Sequence, residues 1–358
     1  MRTRHERRLA RISLPALAAL AGAIMAGVPW QRADACSRIL CETGDGGYIV
    51  GRTMDWADPG AAVAFWVFPR GMARDGGAGK NSIRWAAKYG SVIISIYDVG
   101  TNEGMNERGL VVNALYLAET DFGDPSKTGK PTLSLGAWAQ YFLDNHATVR
   151  EAVDAAKKEP FTIVGPDMPN GRKGTAHLSL SDPSGDSAIF EYLDGKLVVH
   201  HGPQYTVMTN SPPYDQQLAL NAYWDQIGGS TFLPGTIAAA DRFVRLSYSL
   251  KSSPKYTDPR LAVASVFSQI RAISVPLGLS DPEKPNLAMT LWRSVLDQRA
   301  KVYYFETALM PAVMWVDLSK IDFAKGSGVR KIPIDATTAL SGEISAKFAP
   351  AEPFEWLK

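Results

Sequence analysis

Cys36 follows Ala33-Asp34-Ala35, a small-residue cleavage pattern that closes a segment built like a secretory leader. Removing that leader makes a cysteine the first residue of the mature chain, so one residue carries both a thiol and a free α-amine. A nucleophile in that position needs no histidine, because its own amine takes the thiol proton directly or through one water. The ordinary values, about 7.7 to 8.0 for an α-amine and about 8.5 for a thiol, make that transfer feasible near neutral pH. Two other readings share the pattern. A lipoprotein signal also ends at cysteine, although its usual Leu is replaced here by Ala33, and an ordinary processing site can precede a cysteine that does no chemistry.

The leader has a basic start (Arg2, Arg4, Arg7, Arg8, Arg11) and an apolar stretch from Ile12 to Val28. Pro15, several Ala and Gly, and the helix-breaking Pro29 suit a removed signal better than a permanent span. The residues after Arg7-Arg8 match a twin-arginine signal weakly, which favours the general secretory route. Loss of residues 1–35 takes away six arginines and two acids and brings the formal charge from +2 to about −2. That balance gives no reason to expect nucleic acid or anionic membrane as a partner. The remaining residues, 36–358, show no linker, long charge run or internal repeat and are expected to form one domain, exported and without a stable membrane anchor.

Cys36 and Cys41 are the only cysteines. Five residues apart on one strand, they point to opposite faces, so pairing them would break the strand, and Cys41 is expected to be a free, buried thiol. Five scattered histidines make no metal cluster, and neither metal nor cofactor is expected.

Positioning Cys36 requires a hairpin. Residues 37–42 and 48–55 alternate like strands, and Thr43-Gly44-Asp45-Gly46-Gly47 supplies the turn. A turn centred near Asp45 sets Cys36 opposite Met54, with Arg52 and Asp55 close by. Further strands are expected at 64–69, 91–98, 110–115, 176–182, 187–193, 196–201, 207–209, 302–307 and 313–317. Helices are expected at 133–145, 149–158, 215–226, 238–250 and 259–273. Strand runs with separate helix runs predict an α+β fold, sheets inside and helices outside.

Five segments then stand in order behind the processing site: Cys36-Ser37-Arg38, Gly51-Arg52-Thr53-Met54-Asp55-Trp56, Gly104-Met105-Asn106-Glu107-Arg108-Gly109-Leu110, Met208-Thr209-Asn210-Ser211-Pro212 and Ala240-Asp241-Arg242-Phe243. With Trp292-Arg293-Ser294-Val295-Leu296-Asp297 near the end, the chain resembles the choloylglycine hydrolase and penicillin V acylase family of N-terminal nucleophile hydrolases. The resemblance implies a four-layer αββα sandwich, hydrolysis of linear amides without cofactor or metal, and a homo-oligomer, in related enzymes often a tetramer. At the matching positions it implies that Cys36 attacks the amide carbonyl, Arg52 favours its thiolate, and Asp55 orients the terminal amine. Asn210 and the backbone N–H of Tyr116 would hold the oxyanion, and Arg242 would support the site through charge and hydrogen bonds.

Family members cleave conjugated bile salts, phenoxyacetyl penicillin or N-acyl homoserine lactones, all of them an apolar acyl or steroid group joined to a small polar amine. Tyr116 bears on the choice: bile salt hydrolases of intestinal Gram-positive bacteria tend to carry Asn at the matching position and penicillin V acylases an aromatic. An aromatic wall suits a phenyl ring or acyl tail. Trp56 is expected as a second wall and Met54 as the floor, while Trp85 and Trp138 are assigned to the core. The expectation is a periplasmic amidase of the Gram-negative penicillin V acylase-like branch acting on a small N-acyl amide. The competing readings are a bile salt hydrolase and a non-catalytic, lipid-anchored binding protein.

Overall fold

Gly46, at φ +75°, supplies the left-handed residue that the 43–47 turn needs, and Gly47 N–H donates to the Thr43 hydroxyl Oγ1 at 2.8 Å and, more distantly, to Asp45 Oδ1 at 3.4 Å. The turn joins strands Ser37–Glu42 and Tyr48–Trp56 in the register Ser37↔Thr53, Arg38↔Arg52, Leu40↔Val50. One step further, Cys36 stands level with Met54, as the turn position predicts. The computed structural model describes residues 36–229, 231–279, 288–310, 312–335 and 339–358, all within one compact unit. The leader lies outside the described residues.

The hairpin belongs to a seven-stranded sheet ordered Val207–Met208, Ser37–Glu42, Tyr48–Trp56, Met289–Asp297, Val302–Thr307, Val313–Asp317 and Gly342–Glu343. A nine-stranded sheet lies against it, ordered Lys196–His201, Ser187–Leu193, His177–Ser181, Val111–Leu115, Thr101–Asn106, Ser91–Ile96, Val63–Phe68, Arg330–Ile334 and Ala349–Pro350. The inner strands Val63–Phe68 and Ser91–Ile96 of the second sheet are buried on both faces, which is why they read as largely apolar runs such as Val63-Ala64-Phe65-Trp66-Val67-Phe68. Phe65 and Val67 enter the core shared with the first sheet; Ala64, Trp66 and Phe68 enter a second core under helices Leu135–Asn145 and Val149–Ala156. Trp138 is buried there and Trp85 packs at its edge. Helices Ala239–Ser252 and Pro259–Ala272 cover the outer face of the first sheet. The result is the four-layer αββα sandwich.

Close approach of the layers fixes two glycines. A Cβ on Gly51 would meet Val266 Cγ1 at 2.6 Å, and one on Gly104 would meet Ile93 at 2.5 Å and Leu143 at 2.9 Å. The helices start where side chains satisfy their first N–H groups: the Ser134 side chain accepts from Gly136 N–H, Thr148 from Glu151 N–H, and Asp258 from Arg260 and Leu261 N–H.

The expected strands and helices are all present with ends moved by a few residues. Among the strands of five residues or more, three were not foreseen: Thr101–Asn106, Met289–Asp297 and Arg330–Ile334. Thr-Asn-Glu-Gly-Met-Asn lacks a hydrophobic signature because its buried acid is paired inside the protein. The Trp292–Asp297 motif, placed before the late strands on sequence, is itself part of the strand that pairs with Tyr48–Trp56. Among the described residues no helix is long and apolar enough to cross a membrane.

Candidate active site

Alternation along Tyr48–Trp56 sorts the site residues onto two faces. Arg52 and Met54 point between the sheets, where Arg52 Nη1 lies 3.4 Å from Glu103 Oε2 on the opposite sheet, both side chains fully buried. Asp55 points to the helical layer, where Arg242 Nη1 of the Ala239–Ser252 helix lies 4.0 Å from its Oδ2, again with both fully buried. Cys36 sits at the end of the neighbouring strand, 2% exposed, between these two charge pairs.

The sulfur of Cys36 accepts from Asp55 N–H at 3.5 Å and lies 3.7 Å from Met54 Sδ. Burial pushes the thiol up, with Arg52 the largest opposing influence. Arg52 therefore acts in the direction expected of it, but burial outweighs it and the thiol form is favoured. Proton acceptance by a neighbouring base is then needed for attack. Cys41 is likewise free and buried, with its thiol pushed up to about 12.

The backbone nitrogen of Cys36 donates to Asn210 Oδ1 at 2.5 Å. Arg242 Nη2 donates to the same oxygen at 3.1 Å, and Asn210 Nδ2 donates to the Tyr116 carbonyl at 2.7 Å. The amide orientation follows from its partners, two donors on the oxygen side and an acceptor on the nitrogen side. One Nδ2 hydrogen remains beyond the Tyr116 bond. Arg242 also donates to the Cys36 carbonyl at 2.7 Å and to Ser37 Oγ, tying the start of the strand to the helix.

Asp55 was expected to hold the amine. Its carboxylate instead accepts from Thr290 Oγ1 and, at 3.2 Å, from Thr53 Oγ1, while Asn210 takes the Cys36 N–H. The reason is that a peptide nitrogen carries one hydrogen, already given to Asn210; a free amine has further hydrogens to offer. Burial pushes the Asp55 carboxyl up to about 6, against Arg242 and the two threonine hydroxyls. A carboxyl raised from its ordinary 3.8 contributes stability that is complete below about pH 4 and lost as pH rises through 6. The difference in unfolding free energy between wild type and Asp55→Asn accordingly falls by about 3 kcal/mol from pH 4 to pH 7. Denaturation at several pH values measures it, and a flat difference contradicts it.

Sequence reading missed Glu103. It accepts from Trp292 Nε1 at 2.8 Å, Ser294 Oγ at 2.7 Å and Asn113 Nδ2 at 3.1 Å, so it joins the two sheets and holds Arg52. The signal lay one residue before the Gly104–Leu110 motif: an acid in a stretch that must be buried. Glu103→Gln keeps most of the shape and removes the charge opposite Arg52, and is expected to lower stability by about 2–3 kcal/mol. An unchanged denaturation midpoint would remove Glu103 as the anchor of Arg52.

Cys36 opens into a pocket of about 670 Å³, part of it open solvent, whose lining also includes Met54, Trp56 and Tyr116. Trp56 and Tyr116 meet at a tilted 59° with centroids 6.4 Å apart. Trp56 Nε1 donates to Tyr97 Oη at 2.9 Å, and Tyr97 in turn donates to Asp58 at 2.8 Å, which fixes the indole. Ile96, Leu135, Met168 and Lys173 also line the pocket and carried no signal in the sequence.

A buried cysteine on an αββα sandwich, flanked by two internal arginine–carboxylate pairs and facing an apolar pocket, defines a cysteine amidohydrolase of the N-terminal nucleophile type. Residues 36–331 match the family described as linear amide C-N hydrolases, choloylglycine hydrolase family, and the chain belongs to it. It is 48% identical over 330 residues to a penicillin V acylase of Pectobacterium atrosepticum, covering 86% of this chain and 88% of that one. The solved penicillin V acylase of Agrobacterium tumefaciens superposes with a TM-score of 0.83 at 50% identity, covering 90% of this chain and 99% of the other. A bile salt hydrolase/transferase of Bifidobacterium longum is more distant, 22% identical over 78% of this chain and 93% of its own length.

Proposed function

We propose that the chain is an exported, penicillin V acylase-like hydrolase whose leader is removed at Ala35, freeing Cys36 as its nucleophile. The observation that carries the reading is the placement of Cys36 on the wall of an apolar pocket built from Met54, Trp56 and Tyr116. The family match beginning at residue 36 supports the cleavage position. In the reaction the thiol proton passes to the α-amine as sulfur bonds to the amide carbonyl carbon. The C–N bond then breaks as the amine returns the proton to the leaving nitrogen, leaving a thioester that water hydrolyses. Asn210 Nδ2 and the Tyr116 N–H stabilise the oxyanion, Asp55 and Asn210 orient the amine, and Arg52 and Arg242 supply the surrounding charge.

The substrates proposed are N-acyl amides with an apolar acyl group, with penicillin V first and N-acyl homoserine lactones next. The enzyme would work in the periplasm, unanchored, as a homo-oligomer. Turnover of penicillin V, an N-acyl homoserine lactone and a glycine-conjugated bile salt by one purified sample tests the order. Preference for the bile salt would replace this reading with a bile salt hydrolase. Diacylglycerol on Cys36 together with no turnover would replace it with a lipid-anchored binding protein.

A further inference from the structure

We infer that Lys173 reads a negative charge on the amine half of the substrate, so that the pocket favours N-acyl amines bearing a free carboxylate over their uncharged lactones. The inference rests on the amide hydrolase reading of Cys36. Lys173 is the one ammonium or guanidinium among the described residues lining the pocket, whose walls are otherwise largely apolar. It is exposed, and among the described residues no carboxylate pairs with it.

Its position is fixed on both sides while its head stays free. Backbone N–H to carbonyl bonds of 2.7 Å from Met168 to Arg172 and 2.8 Å from Gly171 to Met168 close the turn before it. The Arg172 guanidinium rests 5.1 Å from the Trp56 ring centroid, which holds the loop against the pocket wall. After it, Gly174 lies so close to the opposite limb of the loop that a Cβ would meet the Pro166 carbonyl oxygen at 2.1 Å. An ammonium has nothing to recognise in an apolar acyl group. The other half of the substrate does carry polar chemistry, and in an acylated amino acid the carboxylate sits two atoms beyond the scissile nitrogen. A largely apolar pocket whose described lining carries one cation selects for that charge.

N-Phenoxyacetyl-L-homoserine and its lactone form a related pair, sharing acyl group and amide and differing in whether the carboxylate and γ-hydroxyl are free or closed into an uncharged ring. Their dissociation constants are measured by calorimetry on mature Cys36→Ala protein, with Lys173 intact and with Lys173→Glu. The acid binds more tightly than the lactone when Lys173 is present, and Lys173→Glu shifts the acid-to-lactone ratio by about tenfold, Lys173→Gln by less. An unchanged ratio overturns the inference, as does failure of both compounds to bind. Hydrolysis of the same pair by the Cys36 protein is read separately. Binding with the expected ratio but without hydrolysis would sink the amide hydrolase reading and leave the charge recognition standing.

Discussion

Cys36→Ala lowers kcat/KM for penicillin V by roughly 10⁴-fold or more, and a chain that keeps Ala35 attached to an intact Cys36 loses activity to a similar extent. The two losses have different causes. Alanine removes the sulfur that forms the thioester. Retained Ala35 leaves the sulfur in place but turns the base into a peptide nitrogen, whose lone pair is delocalised into the carbonyl and does not accept the thiol proton. Burial makes that base necessary, because it holds the thiol protonated against the pull of Arg52. Cys36→Ser is expected to lose most activity as well, since the hydroxyl is a weaker nucleophile. Steady-state kinetics on purified proteins check all three. Near-normal turnover by the Ala35-extended chain would show that the α-amine is not the base.

Asn210→Ala lowers kcat by about 10² to 10³ with little change in KM. Its amide lies where a developing oxyanion beside Cys36 can be reached, with Oδ1 held by Cys36 N–H and Arg242 and Nδ2 turned to the Tyr116 carbonyl. Removing the side chain also deprives buried Arg242 of a partner, so stability falls by about 1–2 kcal/mol. A purely structural residue would show the stability loss without the fall in kcat measured well below the unfolding temperature. A rise in KM at unchanged kcat would assign Asn210 to ground-state binding.

The geometry that brings these groups together was partly legible in the chain. The Gly-rich turn set the hairpin register, and with it the level of Met54, Arg52 and Asp55 beside Cys36. Alternation placed Cys41 on the face away from Cys36, and both thiols are free. The resemblance supplied Asn210 and Arg242, which no local spacing could connect to residue 36 because they arrive from a distant edge strand and an outer helix. What stayed hidden depends on the packing of one sheet against the other. Glu103 reads as a polar residue in a polar stretch until Arg52, Trp292 and Ser294 meet it across the interface. Thr290 is similarly silent until its strand pairs with Tyr48–Trp56 and brings its hydroxyl to Asp55. Met168 and Lys173 come from a loop whose path is set by glycine contacts and by Arg172 on Trp56, none of which has a periodic signature.

Mass spectrometry of the protein purified from the cells that express it, quenched in acid during penicillin V turnover, tests the central claim most directly. The account predicts a chain beginning at Cys36, with a phenoxyacetyl group on the peptide that contains it. A chain that begins elsewhere or carries lipid at Cys36, or turnover that leaves Cys36 unacylated, would contradict it.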